Sequence, residues 1–202
     1  MKLTKAISQV LENELRETAG MNNEEVELYI SLLTKKSLRK KDYLLTPGDI
    51  CRYITYINKG CMRRYIIDEH SKEIILNFAL EDHLVGDLES LIFQKPTEFY
   101  IQTLEDCELT QLSRENFFRA CNEIPKFKIF HDDKARRNHF SVLKRLSKSK
   151  SATPEEKYLD LMKKQPQLFQ RIPLHYIASY LGIEPESLSR IRKRIVIHPH
   201  TS

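Results

Sequence analysis

Residues Arg171–Arg194 read RIPLHYIASYLGIEPESLSRIRKR, and this stretch decides how the rest of the chain is read. Pro173 can open a short helix, Leu174 to Leu181. Gly182 breaks it where the backbone must turn sharply. Pro185 then suits the first position of a second helix running to about Ile195. Ala178 is small and sits where two crossing helices need room. Ile177, Leu181, Ile183, Leu188 and Ile191 supply a shared apolar face. A small residue in the first helix, Gly in a tight turn and apolar residues at fixed offsets match a helix-turn-helix.

The second helix presents Glu186, Ser187, Ser189, Arg190 and Lys193 outward. That set has the chemistry of a major-groove reader. Arg donates two bonds to guanine, Glu accepts from cytosine, and Ser serves base or phosphate. Arg192, Lys193 and Arg194 lie toward the far end, where phosphate contacts fix register. The plainer reading of such a run is a solvated basic helix. The joint pattern of Ala178, Gly182, Leu188, Ile191 and Arg190 favours the DNA reader. Glu184 departs from it, because Ser or Thr is the expected cap before Pro185.

Working back toward the N-terminus, Thr153-Pro154-Glu155-Glu156 is a helix start: a Thr cap, Pro at the first position, acids in the first turn. Lys148–Ala152 reads as a polar linker. Residues 126–147 form a long periodic segment with Phe127, Phe130, Phe140, Leu143 and Leu146. Such a helix either packs against a second copy or lies on a sheet. Between about 38 and 112, short apolar runs alternate with turn signals. The runs are Tyr43–Leu45, Tyr53–Ile57, Arg64–Ile67, Glu73–Phe78, Phe99–Thr103 and Glu108–Leu112. This spacing predicts an antiparallel sandwich or barrel. Residues 4–34 read as helical, broken at Gly20, with Asn22 or Asn23 as a cap. The expected domains are 1–125, 126–150 and 151–202.

Charge supports that division. The formal net charge is +5, too small to name a partner. Residues 1–125 hold 16 basic and 21 acidic residues, a balance of −5. Residues 126–202 hold 17 and 7, a balance of +10, so the two parts suit different partners. With 41% hydrophobic and 30% charged residues the chain is globular, not disordered. No apolar run approaches bilayer length, so no membrane role is expected. The start lacks the pattern of a signal peptide. Cys51, Cys61, Cys107 and Cys121 are far apart and suit reduced thiols in the cytoplasm. There is no Gly-rich phosphate loop, G-x-S-x-G or H-E-x-x-H, so an enzyme is not expected.

With these residues in view, the chain resembles the CRP/FNR family of bacterial transcription regulators over nearly its whole length. Pro47-Gly48-Asp49, Ile57-Asn58-Lys59-Gly60 and Gly86-Asp87-Leu88 resemble the family's β-roll landmarks. The long helix resembles its dimer helix, and Ala178–Arg194 its DNA-reading unit. The run Ala-Ser-Tyr-Leu-Gly-Ile, then Glu-Ser-Leu-Ser-Arg-Ile-Arg-Lys, is especially similar to the branch common in Bacteroidetes. The resemblance implies an α+β fold: an N-terminal β-roll of the cyclic-nucleotide-binding jelly-roll type, a dimerisation helix and a C-terminal winged-helix-like domain. It implies a homodimer on double-stranded DNA, an effector of unknown identity and RNA polymerase as a further partner. Glu186 and Arg190 match the family's base readers. Pro185 stands where the family has a further basic residue, so sequence preference should differ from that of the cyclic-AMP receptor. Only Val196–Ser202 follow Ile195, too few for the family's hairpin wing.

The resemblance also frames the sensor pocket. Members that bind cyclic nucleotides pair a Gly-Glu with an Arg-Ser or Arg-Thr about ten residues later. Here the first pair is Gly86-Asp87, followed by Leu88, and Thr97-Glu98 stands at the second place. Lys95 is the one nearby cation. Cyclic-nucleotide binding is therefore expected to be lost, with Lys95 as the substitute if it is not. No cofactor is expected. The cysteines lack the N-terminal clustering of iron–sulfur members, and His198-Pro199-His200 has no partners at metal spacing. Two alternatives stay open: a sensing module that acts on a protein partner, and a DNA-binding protein whose β-domain only supports dimerisation.

Overall fold

The computed structural model describes residues 7–197. Helix α1 (Gln9–Asn13) runs into a π-helical turn (Glu14–Thr18) and is followed by α2 (Asn23–Ser31). Strands β1 (Leu33–Leu38), β2 (Tyr43–Leu45), β3 (Tyr53–Lys59), β4 (Met62–Ile67), β5 (Glu73–Ala79) and β6 (Leu84–Val85) come next. Helix α3 (Leu88–Phe93) separates them from β7 (Tyr100–Thr103) and β8 (Cys107–Ser113). The remainder is helical: α4 (Arg114–Glu123), α5 (Pro125–Ser151), α6 (Pro154–Lys164), α7 (Leu168–Arg171), α8 (Leu174–Leu181) and α9 (Pro185–Ile197).

The chain divides into two compact units. One takes residues up to 66 with 77–138; the other takes 67–76 with the residues from 139 onward. The strands form two four-stranded sheets of a jelly roll, ordered β1-β8-β3-β6 and β2-β7-β4-β5, and all but β5 lie mainly in the first unit. Strand β8 pairs antiparallel with both β1 and β3. Inward residues such as Ile57, Met62, Ile101 and Leu109 are fully buried between the sheets. Leu11, Leu15, Val26, Tyr29, Phe117 and Ile124 extend this core into the flanking helices. Two caps hold these helices, that at Asn22 as expected from sequence. Asn22 and Glu25 form a reciprocal capping box, and Ser113 accepts from the Asn116 amide at 3.1 Å.

Several elements differ from expectation. Residues 33–38 are a strand, not the tail of a helix. Their side chains are mostly exposed, so no alternation marks them. Strand β6 and helix α3 are too short for a periodic signal. Pro125 opens α5 instead of interrupting a helix, since it sits at the first helical position where its missing N–H costs nothing. The same helix continues to Ser151, through residues that read as a linker. Phe127 and Phe130 are not on an open face of α5. Both are buried in the core of the first unit, where Phe127 packs on Tyr29 with ring centroids 5.0 Å apart.

The second unit is built around α6–α9. Tyr158, Leu161, Leu168, Ile172, Ile177, Ala178, Ile183, Leu188 and Ile191 are all buried. Thr153 and Glu156 form the expected capping box at the start of α6. The region where the sequence predicts no wing, beyond Ile197, lies outside the described residues.

Candidate nucleic-acid interface and sensor pocket

Helix α8 ends because Gly182 adopts the left-handed conformation, φ +64° and ψ 41°. Its amide bonds back to the Ser179 carbonyl at 3.1 Å. The Ile183 amide closes the turn on the Ala178 carbonyl at 3.0 Å. This is the six-to-one and five-to-two pairing that ends helices at Gly. Ala178 has no exposed surface, as expected of a residue that lets α9 approach. Leu188 and Ile191 anchor α9 on that side. The opposite side carries Glu186, Arg190 and Lys193, all exposed, at spacings of four and three that keep them on one face. Ser187 and Ser189 are half-buried at its margins, and Arg192 and Arg194 are exposed beside it.

The cations of α9 are not equivalent. Arg190 lies back along its own helix, with Nε donating to the Glu186 carbonyl at 3.4 Å and Nη2 to Ser187 Oγ at 3.5 Å. Arg194 donates to the carboxylate of Glu155 in the first turn of α6. The sequence offered Arg194 as a phosphate contact; here it ties the end of α9 to α6. Glu184, the unexpected residue before Pro185, faces Lys72 at 3.6 Å with both side chains well exposed. Such a pair contributes little to stability.

In the first unit, only part of the expected sensor segment converges. Gly86 takes φ +151°, and a Cβ there would lie 3.2 Å from the Tyr53 carbonyl. Asp87 is buried and caps α3, accepting from the Ser90 amide at 3.2 Å. Its second oxygen accepts from Thr97 Oγ1 at 2.7 Å. Thr97, at the place of the family's Arg, is buried too, so the two positions satisfy each other. Leu88, Lys95 and Glu98 are exposed. The Lys95 ammonium lies 5.9 Å from the Phe93 ring centroid, while its carbonyl accepts from Ser90 Oγ.

Two arginines of β4 lie near this segment, Arg63 buried and Arg64 half-buried, and the sequence reading placed neither there. The Arg64 guanidinium sits 3.6 Å over the Phe99 ring, and its Nε is buried with no hydrogen-bond partner. Burial pulls the Arg64 guanidinium below its ordinary value, opposed by the charge of Asp87 and by Cys51. Burial pushes the Cys51 thiol up, which keeps it neutral. Strand parity gives only a partial signal for Arg64. Arg63 and Arg64 are consecutive in a strand, so they point to opposite faces: Arg64 shares its face with buried Met62, and Arg63 shares the other with buried Tyr65. Arg63, on the other face, donates to Gln102 Oε1 at 3.0 and 2.8 Å and lies 4.2 Å from the Tyr65 ring centroid.

Among the described residues, no group of three or more His, Cys, Asp or Glu side chains is placed to hold a metal. All four cysteines are unbridged. Among the described residues, no helix is long and apolar enough to cross a membrane.

Comparison with known proteins adds to this geometry. Residues 35–123 match the family model of the cyclic nucleotide-binding domain. The c-di-GMP-responsive global regulator CLP of Xanthomonas campestris is similar in structure, with a TM-score of 0.69 and 16% identity. That similarity covers 90% of this chain and 96% of CLP. The catabolite activator protein of Thermus thermophilus has a TM-score of 0.56 and 21% identity over 92% of this chain and 87% of its own. FixK2 of Bradyrhizobium japonicum has a TM-score of 0.64 and 15% identity over 83% and 86%. At such identities the likeness establishes the α+β fold. No curated protein matches the chain in sequence.

Proposed function

We propose that the chain is a homodimeric transcription regulator of the CRP/FNR type, reading a near-palindromic DNA site with α9 and working in the cytoplasm. The observation that carries this reading is the α8–Gly182–α9 turn. It buries Leu188 and Ile191 and leaves Glu186, Arg190 and Lys193 together on the outer face. The cyclic nucleotide-binding domain match and the regulators of like fold support it. Arg190 and Glu186 are the base readers, and Arg192 and Lys193 contact phosphate. Two such helices about 34 Å apart meet successive major grooves. An effector would act by changing the population of dimers with that spacing. RNA polymerase is a further partner on the same family reading. The β-roll no longer takes cyclic nucleotides in the family's manner, because Thr97 replaces the phosphate-binding Arg and engages the Asp87 carboxylate.

Salt titration tests the DNA reading. Arg192 and Lys193 in each protomer give four phosphate-side cations per dimer. The logarithm of the binding constant should then fall against the logarithm of salt with a slope near −4, at about −0.9 for each phosphate neutralised. A flat response by electrophoretic shift or fluorescence anisotropy sinks the nucleic-acid reading.

Dimerisation rests on α5. Phe140 is 66% exposed and Leu143 is 49% exposed. Their spacing of three puts them on one helix face. Large apolar side chains in that order suit a second copy of the same helix. The variant Phe140→Glu should shift the protein toward monomer in sedimentation equilibrium and weaken palindrome binding more than half-site binding. A dimer that survives Phe140→Glu and Leu143→Glu together excludes this face as the seam.

A further inference from the structure

We propose that the β-roll binds a small organic molecule by its oxyanion, through Arg64 of β4 and not through the Gly86–Glu98 segment. The inference extends the regulator reading by naming the chemical class of its effector, but the binding site stands on geometry within the first unit alone.

Three observations converge on Arg64. Its Nε is buried without a hydrogen-bond partner, and its side chain forms no ion pair among the described residues. The side chain as a whole is half-buried, but buried N–H groups are ordinarily hydrogen-bonded, because desolvation is repaid only by a partner. An exception inside a ligand-binding fold points to function. Second, the nearest acid, Asp87, acts on it through its charge alone, with its oxygens turned to other donors. The Asp87 oxygens already accept from the Ser90 amide and from Thr97 Oγ1. Cys51 is buried and its thiol stays protonated. Third, Phe99 covers one face of the guanidinium at 3.6 Å. Stacking holds the plane in place and leaves an edge of paired N–H donors for an incoming group. A planar fork of that kind fits two oxygens of a carboxylate or phosphate. Lys95 and Glu98, exposed beyond α3, take no part.

The test uses the full chain with three probes: inorganic phosphate, benzoate and cyclic AMP. Thermal melting and calorimetric titration are run on the wild type, Arg64→Met and Arg64→Lys. At least one probe should raise the wild-type melting temperature saturably. Arg64→Met should bind that probe at least tenfold more weakly. Arg64→Lys keeps the charge without the fork and should bind several-fold more weakly; it decides the matter if Arg64→Met does not fold. No stabilisation of the wild type by any of the three probes overturns the proposal. So does equal binding by wild type and Arg64→Met, or, where Arg64→Met does not fold, equal binding by wild type and Arg64→Lys. The probe that binds identifies the source: benzoate a carboxylate, phosphate or cyclic AMP a phosphate. Binding by cyclic AMP would also end the reading that cyclic nucleotides are no longer taken. DNA binding is measured separately. A chain that takes the anion but not DNA loses the regulator reading and keeps Arg64 as the site; the reverse result does the opposite.

Discussion

Arg190→Ala should weaken binding to the specific DNA site by about 1–3 kcal/mol, up to roughly a hundredfold in Kd, and relax preference at one base pair. Arg190 is exposed on the face opposite buried Leu188 and Ile191, one helical turn from Glu186. Truncation removes no core packing, so the melting temperature should hold while affinity falls. Binding to unrelated DNA should change little, because the lost bonds are to base edges and not to phosphate. Competition against single-base variants of the site reads this directly. An equal loss on every sequence would make Arg190 a phosphate contact and pass the specificity role to Glu186.

The largest expected loss of stability is at Gly60. It joins β3 to β4 with φ +105°. A Cβ there would lie 2.6 Å from Cys107 Sγ and 2.7 Å from the Asp106 carbonyl oxygen. The carbonyl cannot retreat easily, because the residues after it form β8, paired on both sides. Gly60→Ala therefore combines a disfavoured backbone conformation with overpacking, roughly 2–6 kcal/mol together. Chemical denaturation followed by circular dichroism should show the midpoint falling steeply. The double variant with Cys107→Ala should recover only part of the loss, since it removes the sulfur but not the carbonyl. A single-variant loss under ~1 kcal/mol would show that the turn yields.

These two sites also mark how much the sequence alone discloses. The α8–Gly182–α9 turn was legible because its signals are local. Pro173, Gly182 and Pro185 punctuate the chain, and Ala178, Leu188 and Ile191 mark a face within one or two turns. Six of the eight strands were legible by alternation and turn residues. Strand β1 was not, since its exposed lysines give no alternation and its apolar start continues the rhythm of α2. The period of α5 was read correctly but its meaning was mixed. Phe127 and Phe130 cover the first unit's core, whereas Phe140 and Leu143 face outward. Periodicity names a face and cannot say what covers it. Arg64 was missed for a similar reason. Both faces of β4 carry buried residues, so strand parity does not single it out, and its neighbours Asp87 and Phe99 come from elements far along the chain.

The way Arg190 rests has an entropic consequence. A free arginine samples many rotamers and loses that freedom when it grips a base. Here Nε and Nη2 already lean on the Glu186 carbonyl and on Ser187 Oγ, at 3.4 and 3.5 Å. These long, solvent-exposed bonds are weak enough to break at little cost, yet they thin the population of wandering conformers. Part of the ordering that recognition demands is thus spent before DNA arrives. On the proposed reading, replacing Ser187 by Ala would free the arginine and raise the entropy that base recognition has to remove.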